Sequence, residues 1–288
     1  MTAGETVRGL LELTRPVNVV AASVLTFIGA FVAGGATGEL LAVAAAVTAT
    51  GLAVGAGNAI NDYFDSEIDR VNRPDRAIPR GAVSPRGALG FSVVLFAGAV
   101  ALALALPTLA IGIASVNLLA LVAYTEVFKG LPGLGNALVA YLVGSTFLFG
   151  AAAVHEGGAG GLVPAIVLFV LAAIATLTRE IVKDVEDIEG DREEGLNTLP
   201  IAIGERRALT VAAVLLAVAV VASPLPYVRG DFGVAYLLVV APADAVMLAA
   251  AYESFRNPTA GQSRLKYGMF LAALAFIVGR AALELPAL

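Results

Sequence analysis

Long apolar runs separated by short polar segments extend along the chain from residue 16 to residue 285. An α-helix needs about 20 mostly apolar residues to cross the hydrocarbon core of a bilayer. The runs that approach this length are 16–35, 41–61, 87–106, 108–125, 135–154, 162–182, 208–228, 232–252 and 267–285. The pattern predicts an all-α, polytopic membrane protein with nine transmembrane helices in a single domain, 1–288. Two of the links between runs are very short, so the sequence defines the number of spans only to within one.

The composition agrees with a membrane protein and excludes several kinds of site. Of the 288 residues, 59% are hydrophobic and only 14% are charged, which is more apolar surface than a soluble core uses. Cysteine is absent and the single histidine is His155. The chain therefore has no disulfide framework, no thiolate nucleophile and no cysteine-ligated metal.

The basic residues are distributed unevenly between the two predicted membrane faces. With nine spans, the N-terminus shares one face with the loops 62–86, 126–134, 183–207 and 253–266. All but Arg229 and Arg280 of the 18 lysines and arginines fall on this face. Because basic loops stay in the cytoplasm, we predict a multi-pass protein of the cell membrane with its N-terminus inside, its C-terminus outside and its polar chemistry on the cytoplasmic face.

An acidic cluster follows the second predicted span. Its members are Asn61, Asp62, Asp65 and Asp69, and positions 61, 65 and 69 are spaced by four residues. On a continuing helix these three side chains project from one face, with Asp62 about 100° away.

A similar cluster follows the sixth predicted span. Asp184, Asp187 and Asp191 are spaced by three and four residues and again share a face. Positions 65 and 187, like 69 and 191, are 122 residues apart. This equal offset hints at an internal duplication.

Two acidic faces that lie opposite each other need a neutralising cation, because neighbouring carboxylates repel. Mg²⁺ takes oxygen ligands and is often held by one or two carboxylates together with substrate phosphates. The lack of cysteine and of clustered histidine argues against Zn²⁺. Surrounding basic side chains can bind phosphate oxygens, so acid, metal and base together indicate a lipid diphosphate substrate. The alternative is that the acids pair with the arginines of the first loop, at 70, 73, 76, 80 and 86.

The residue patterns of both clusters resemble the motifs of a known family. "NDYFDSEIDRVNRPDRAIPRG" is similar to the first signature of the UbiA superfamily of intramembrane prenyltransferases, and "DVEDIEGDREEGLNTLP" is similar to the second. "YTEVFKGLPGLGN" resembles the tyrosine- and lysine-containing loop of that family. Within the superfamily, the motifs look most like the branch that adds a second geranylgeranyl chain to geranylgeranylglyceryl phosphate in archaeal ether-lipid synthesis.

The resemblance implies an enzyme with assigned residues. A Mg²⁺-dependent prenyltransferase would take a prenyl diphosphate donor and a lipid-phosphate acceptor from the bilayer and release diphosphate. The resemblance implies metal ligands at Asn61, Asp65, Asp69, Asp187 and Asp191. It implies catalytic roles for Asp65, Asp69, Asp187, Asp191 and Lys129. It implies substrate contacts from Asn61, Asp62, Arg76, Arg80, Tyr124, Lys129, Arg179, Lys183 and Asp184.

Some assignments stay open at this point. The acceptor phosphate needs a further cation, for which Arg15, Arg179 and Lys183 are alternatives. Tyr141 and Phe147 either face an allylic cation or only pack between helices. Asp244 is an intramembrane carboxylate with no assigned role. The oligomeric state is undetermined and we expect no nucleic-acid partner.

Two other functions compete with this interpretation. A related prenyltransferase with another acceptor, a chlorophyllide or an aromatic quinone precursor, would have similar motifs. A transporter would also contain membrane carboxylates, but usually near the bilayer midplane on broken helices. The acids here lie at the ends of predicted spans on one face, which favours the enzyme.

Overall fold

The computed structural model describes residues 3–34, 38–124, 128, 131–155 and 161–284. Regular secondary structure in these ranges is helical throughout, with no strand, so the predicted all-α class is confirmed. The α-helices are α1 (Ala3–Leu13), α2 (Pro16–Val32), α3 (Leu40–Phe64), α4 (Ser66–Asn72), α5 (Pro85–Ala103), α6 (Thr108–Ala123), α7 (Leu134–Ala153), α8 (Leu162–Glu186), α9 (Ile188–Glu193), α10 (Leu199–Ile203), α11 (Glu205–Ala222), α12 (Leu225–Val228), α13 (Val234–Ser254) and α14 (Pro258–Glu284).

The number of membrane spans differs from the predicted nine. Seven helices in the described ranges are long and apolar enough to cross a membrane, and α1 with α2, bent by 49° at their junction, gives an eighth if the pair is one span. A further apolar helix, Thr108–Leu121, is shorter. The structure therefore supports a multi-pass membrane protein with seven or eight spans, and a count of nine is not confirmed. Exposed apolar side chains such as Leu41 and Val221 (88% and 82% exposed) suit a lipid-facing surface.

Prolines mark the start of several helices. Pro16, Pro85 and Pro258 each open a helix, where the missing N–H would have no intrahelical partner in any case. Before Pro85, the Ser84 hydroxyl accepts a hydrogen bond from the Gly87 N–H at 3.0 Å and caps α5. The helix α14 starts at Pro258, nine residues before the predicted last span of 267–285, so it extends beyond the apolar run.

The helices α2 and α7 approach each other most closely through two glycines. A Cβ added at Gly29 would lie 2.0 Å from the Phe147 carbonyl oxygen, and one at Gly150 would lie 1.9 Å from the Thr26 carbonyl oxygen. Neither glycine can gain a side chain without moving a backbone. Small residues at such crossings let membrane helices pack tightly.

The two acidic motifs occupy equivalent places in two similar units. The helices α3 and α8 each have 25 residues, and both their starts and their ends are 122 residues apart. Each is followed at once by a short helix, α4 or α9, after a turn at Asp65 (φ −81°, ψ 2°) or Asp187 (φ −95°, ψ 7°). The same break at the same offset supports the internal duplication that the motif spacing suggested.

Candidate active site

The first acidic motif is held together by arginine. Asp62 and Asp69 are both buried, at 7% and 6% exposure. The Arg76 Nη1 atom donates to Asp69 Oδ2 at 2.5 Å and to Asp62 Oδ1 at 3.2 Å, and Arg15 Nη2 donates to the same Asp62 oxygen at 2.7 Å. Two guanidinium groups therefore neutralise the buried part of this motif; Arg76 is one of the loop arginines that the alternative interpretation named, whereas Arg15 is not.

The acidic side chains that share one helical face are not those that the sequence predicted. We expected Asn61, Asp65 and Asp69 to project together, with Asp62 apart from them. Seven residues correspond to nearly two helical turns, so Asp62 and Asp69 differ by only about 20° around the axis. Hydrogen bonds of helical spacing lie on both sides of the turn, from the Asp65 N–H to the Asn61 carbonyl at 2.9 Å and from the Asp69 N–H to the Asp65 carbonyl at 2.8 Å. Asp62 and Asp69 thus form the closer pair.

Arg80 lies away from the acidic face that it was predicted to serve. Its Nη2 donates to Glu12 Oε2 at 2.6 Å and its Nη1 to the Asp75 carbonyl at 2.7 Å. The Arg80 guanidinium lowers the pKa of Glu12, an exposed side chain on the amphipathic helix α1. Arg80 therefore joins α1 to the loop after α4.

The second acidic motif has different partners. Asp184 Oδ2 accepts a hydrogen bond from Asn136 Nδ2 of α7 at 2.9 Å. Lys183 Nζ lies 3.5 Å from Asp187 Oδ2, so this predicted substrate cation is paired with a predicted metal ligand. Arginines thus neutralise Asp62 and Asp69 in the first motif, whereas in the second motif Asp184 accepts from an amide and Asp187 pairs with a lysine.

Arg179 is also occupied by neighbours in the same region. Its Nη1 donates to Glu180 Oε1 at 2.6 Å and its Nη2 to Gln262 Oε1 of α14 at 3.2 Å. The structure brings Arg179 to the second motif, but its contacts are with protein groups.

Tyr124, at the end of α6, belongs to this second half. Burial raises the pKa of its phenol, and the nearby charges of Glu180 and Asp184 raise it further while Lys183 opposes them. The hydroxyl therefore stays protonated as a hydrogen-bond donor at neutral pH. Lys129, which was predicted to act beside Tyr124, lies outside the described residues.

The donor set suits a hard cation such as Mg²⁺. Asp191 Oδ2 is buried without a hydrogen-bond donor, and a buried carboxylate oxygen without a donor is unfavourable unless a cation neutralises it. The chain offers carboxylate and amide oxygens, which Mg²⁺ prefers. Within the described part of the chain, no three acidic or histidine side chains already converge on one point. Substrate phosphates would have to complete the coordination.

Sequence reasoning missed two groups near the second motif. Glu180 lies beside Arg179, and its position, four residues before Asp184 on the same helical face, is a signal that was available. Asn136 had no such signal, because its contact with Asp184 spans 48 residues of sequence.

The remaining candidates lie in helix packing. Phe147 is 2% exposed and packs with Ile28 and Val32, which agrees with the packing alternative. Tyr141 stacks edge-on against Phe169, with ring centroids 6.1 Å apart. Asp244 Oδ2 accepts a hydrogen bond from Ser223 at 2.5 Å, which links α13 to the end of α11.

Comparison with known proteins gives consistent results. Residues 22–274 match the model of the UbiA prenyltransferase family. A digeranylgeranylglyceryl phosphate synthase from Natronomonas pharaonis is 66% identical over 278 residues, covering 96% of this chain and 99% of the relative. One of the same description from Halobacterium salinarum is 62% identical and covers 96% and 98% of the two chains.

Solved structures have the same fold. A structure described as that of digeranylgeranylglyceryl phosphate synthase in membranes has a TM-score of 0.85 and 35% identity, covering 96% of this chain and 99% of that one. A UbiA homologue from Archaeoglobus fulgidus bound to GPP and Mg²⁺ has a TM-score of 0.67 at 20% identity, covering 96% and 99%. At that identity the second likeness concerns the fold alone.

Proposed function

This chain belongs to the UbiA prenyltransferase family, and from that premise we propose that it is a digeranylgeranylglyceryl phosphate synthase. It transfers a geranylgeranyl group from geranylgeranyl diphosphate to the free hydroxyl of geranylgeranylglyceryl phosphate, in archaeal membrane ether-lipid synthesis. The observation on which this rests is 66% identity to a relative of that description over nearly the whole of both chains.

The reaction exchanges one carbon–oxygen bond for another. The bond between C1 of the prenyl chain and the diphosphate breaks, an ether bond forms between C1 and the acceptor oxygen, and diphosphate and the hydroxyl proton are released. The metal ligands are Asn61, Asp65, Asp69, Asp187 and Asp191, and the bare Asp191 oxygen supports this assignment. Mg²⁺ held by these residues would neutralise the diphosphate and so make it a better leaving group.

The chain's own side chains bind and orient the two substrates. Arg76 borders the first motif and stabilises the charge that develops on the departing diphosphate. Tyr124 lies beside the second motif and offers its hydroxyl as a hydrogen-bond donor to a substrate, next to Lys183 and Arg179. Lys129 is a further candidate cation. The active site faces the cytoplasm, as the distribution of basic residues indicates.

Prenyl transfer by the purified protein tests this function. Radiolabelled geranylgeranyl diphosphate and Mg²⁺ are incubated with geranylgeranylglyceryl phosphate, a chlorophyllide or an aromatic acid. We expect product only with the glycerol phosphate acceptor. Product only with another acceptor would replace the acceptor assignment, and solute uptake without prenyl transfer would favour a transporter.

The metal assignment needs matched variants. Asp187→Asn and Asp191→Asn each remove one proposed ligand, whereas Glu189→Gln removes an exposed acid between them on α9. We expect the first two to lose at least 100-fold in transfer and to bind Mn²⁺ more weakly, as measured by electron paramagnetic resonance. Glu189→Gln should keep both properties. Full turnover in Asp187→Asn would overturn the assignment.

A further inference from the structure

A cavity of about 480 Å³ opens beside the first acidic motif, between the α1–α2 junction and the loop after α4. Its walls include three arginines, Arg15, Arg73 and Arg76, and three acids, Glu12, Asp62 and Asp75. The volume is sufficient for a phosphate group with its first waters. The cavity shares Arg76 with Asp69, so it adjoins the proposed metal site but is not part of it.

Two of the three carboxylates of the cavity wall, Asp62 and Glu12, are paired with arginines, whereas Asp75 forms no ion pair with any residue that the structure describes. Asp62 accepts from both Arg15 and Arg76, and Glu12 accepts from Arg80 and Arg8. Arg73 is exposed and forms no ion pair with any residue that the structure describes. A guanidinium has five N–H donors, so Arg15 also keeps donors free after its single bond to Asp62. The cavity therefore offers unused guanidinium donors to an anion, and the charges of its three arginines balance those of its three acids.

The backbone at Arg15 is a second, independent sign of function. Arg15 has φ 50° and ψ 73°, and it is the one non-glycine residue with positive φ among the residues described. This left-handed conformation is disfavoured for side chains with a Cβ and free for glycine. Strained residues of this kind are concentrated at functional sites. An arginine at this position is best explained by a need for its guanidinium.

The competing cations have other partners. Lys183 pairs with Asp187, and Arg179 donates to Glu180 and Gln262. Both cations are therefore already paired with acids of the second region. Of the three alternatives that the sequence left open for the acceptor phosphate, Arg15 is the one that lines a cavity with a free arginine.

We infer that this cavity binds the phosphate monoester of the acceptor lipid, with Arg15 and Arg73 as its principal ligands. The inference rests on the proposed function and deepens it. The donor diphosphate lies with the metal ligands, and Asp69 and Arg76 separate the two phosphates. A phosphate in this cavity holds the glycerol hydroxyl at the end of the bundle where the acidic motifs lie. The amphipathic helix α1 forms one wall, so the headgroup enters from the membrane surface.

Separate Michaelis constants for the two substrates test the inference. Arg15→Gly removes the guanidinium and accepts φ 50° without strain, and Arg73→Gln removes an unpaired charge. We expect each variant to raise the acceptor KM by about 10-fold or more, the effect of losing a charge-assisted hydrogen bond, with the donor KM unchanged. Arg70→Gln, on the same short helix as Asn72 but outside the cavity wall, should change neither constant.

A dephosphorylated acceptor identifies the group that the arginines bind. Wild-type protein should prefer geranylgeranylglyceryl phosphate to geranylgeranylglycerol, and both variants should lose most of this preference. If the site binds any phosphate, inorganic phosphate should compete with the acceptor in the wild type and much less in Arg73→Gln. If inorganic phosphate does not compete, while the wild type still prefers the phosphorylated acceptor, the site is specific for the lipid headgroup.

The outcomes separate the two proposals. An increase in the donor KM instead of the acceptor KM, or unchanged acceptor KM in both variants, would overturn the inference while leaving the proposed function intact. Absence of transfer by the wild-type protein to any glycerol acceptor would overturn the proposed function itself.

Discussion

The guanidinium of Arg76 holds two buried carboxylates at the end of α3. Removing it in Arg76→Gln leaves Asp62 with Arg15 alone and Asp69 with no ion-pair partner in the described part of the chain. We expect the free energy of unfolding to fall by about 2–3 kcal/mol, because a buried charged group loses its hydrogen bonds. Thermal unfolding in detergent measures this.

Arg70→Gln provides the control for that variant. The ion pair of Arg70 with Glu67 is exposed on both sides, and such pairs contribute only about 0–1 kcal/mol. Equal stability losses in the two variants would contradict the role assigned to Arg76.

A divalent cation should compensate partly for the missing arginine. Asp69 is a proposed metal ligand, and Arg76 competes for its Oδ2 atom. A ligand that binds only the folded state raises its stability. We therefore expect millimolar Mg²⁺ or Mn²⁺ to raise the melting temperature of Arg76→Gln more than that of the wild type. An equal or smaller rise would show that Arg76 and the metal do not share Asp69.

Side chains close in sequence were predictable and distant partners were not. The spacing of Asp65 and Asp69, and of Asp187 and Asp191, was sufficient to propose a two-part acidic site. Helical geometry also places Asp62 and Asp69 on one face, and the prediction did not include this. The Arg15–Asp62 contact spans 47 residues, and local periodicity contains no information about how helices pack side by side.

At the scale of helices, the crossing of α2 and α7 allows a sharp test. Gly150→Ala would place a Cβ 1.9 Å from the Thr26 carbonyl oxygen, and no rotamer relieves a clash with backbone. We expect a loss of about 3 kcal/mol or more in stability, at the upper end of overpacking effects, measured by thermal unfolding.

Other helical glycines give the matched comparison. A Cβ at Gly90 or Gly112 would have no other atom within 4 Å. Alanine favours a helix over glycine by up to about 1 kcal/mol, so Gly90→Ala and Gly112→Ala should be neutral or stabilising. A stable Gly150→Ala protein would mean that α2 and α7 separate without cost.

The apolar runs predicted most helices well because a membrane helix needs a minimum length of apolar sequence. The predicted span 135–154 corresponds to α7 (Leu134–Ala153). The breaks were less predictable. The bend of 49° before α2 depends on the left-handed backbone at Arg15, which hydropathy does not report. The number of spans also depends on helix length, because α2 has 17 residues and α6 has 16, fewer than the roughly 20 that cross the hydrocarbon core.

On the scale of the whole molecule, two similar units have taken different roles at the same end of the bundle. The breaks at Asp65 and Asp187 are equivalent. Near the first, arginines line a cavity, whereas the second combines an amide, a lysine and a bare carboxylate oxygen. Two similarly built units thus provide two distinct surfaces, which matches the proposed reaction that must bind a diphosphate and a phosphate at once.

This arrangement requires both motifs to face the cytoplasm, where we propose that the substrates are supplied. The chain contains no cysteine, so single-cysteine variants label without background. Arg207→Cys, at the start of α11, lies on the predicted inner face, and Arg229→Cys, after α12, lies on the outer face. Both side chains are exposed. With a membrane-impermeant maleimide, intact cells should label at position 229 alone, and permeabilised cells should label at both positions. Labelling of position 207 in intact cells would place the basic loops outside, and the proposed active site would then open away from the cytoplasm.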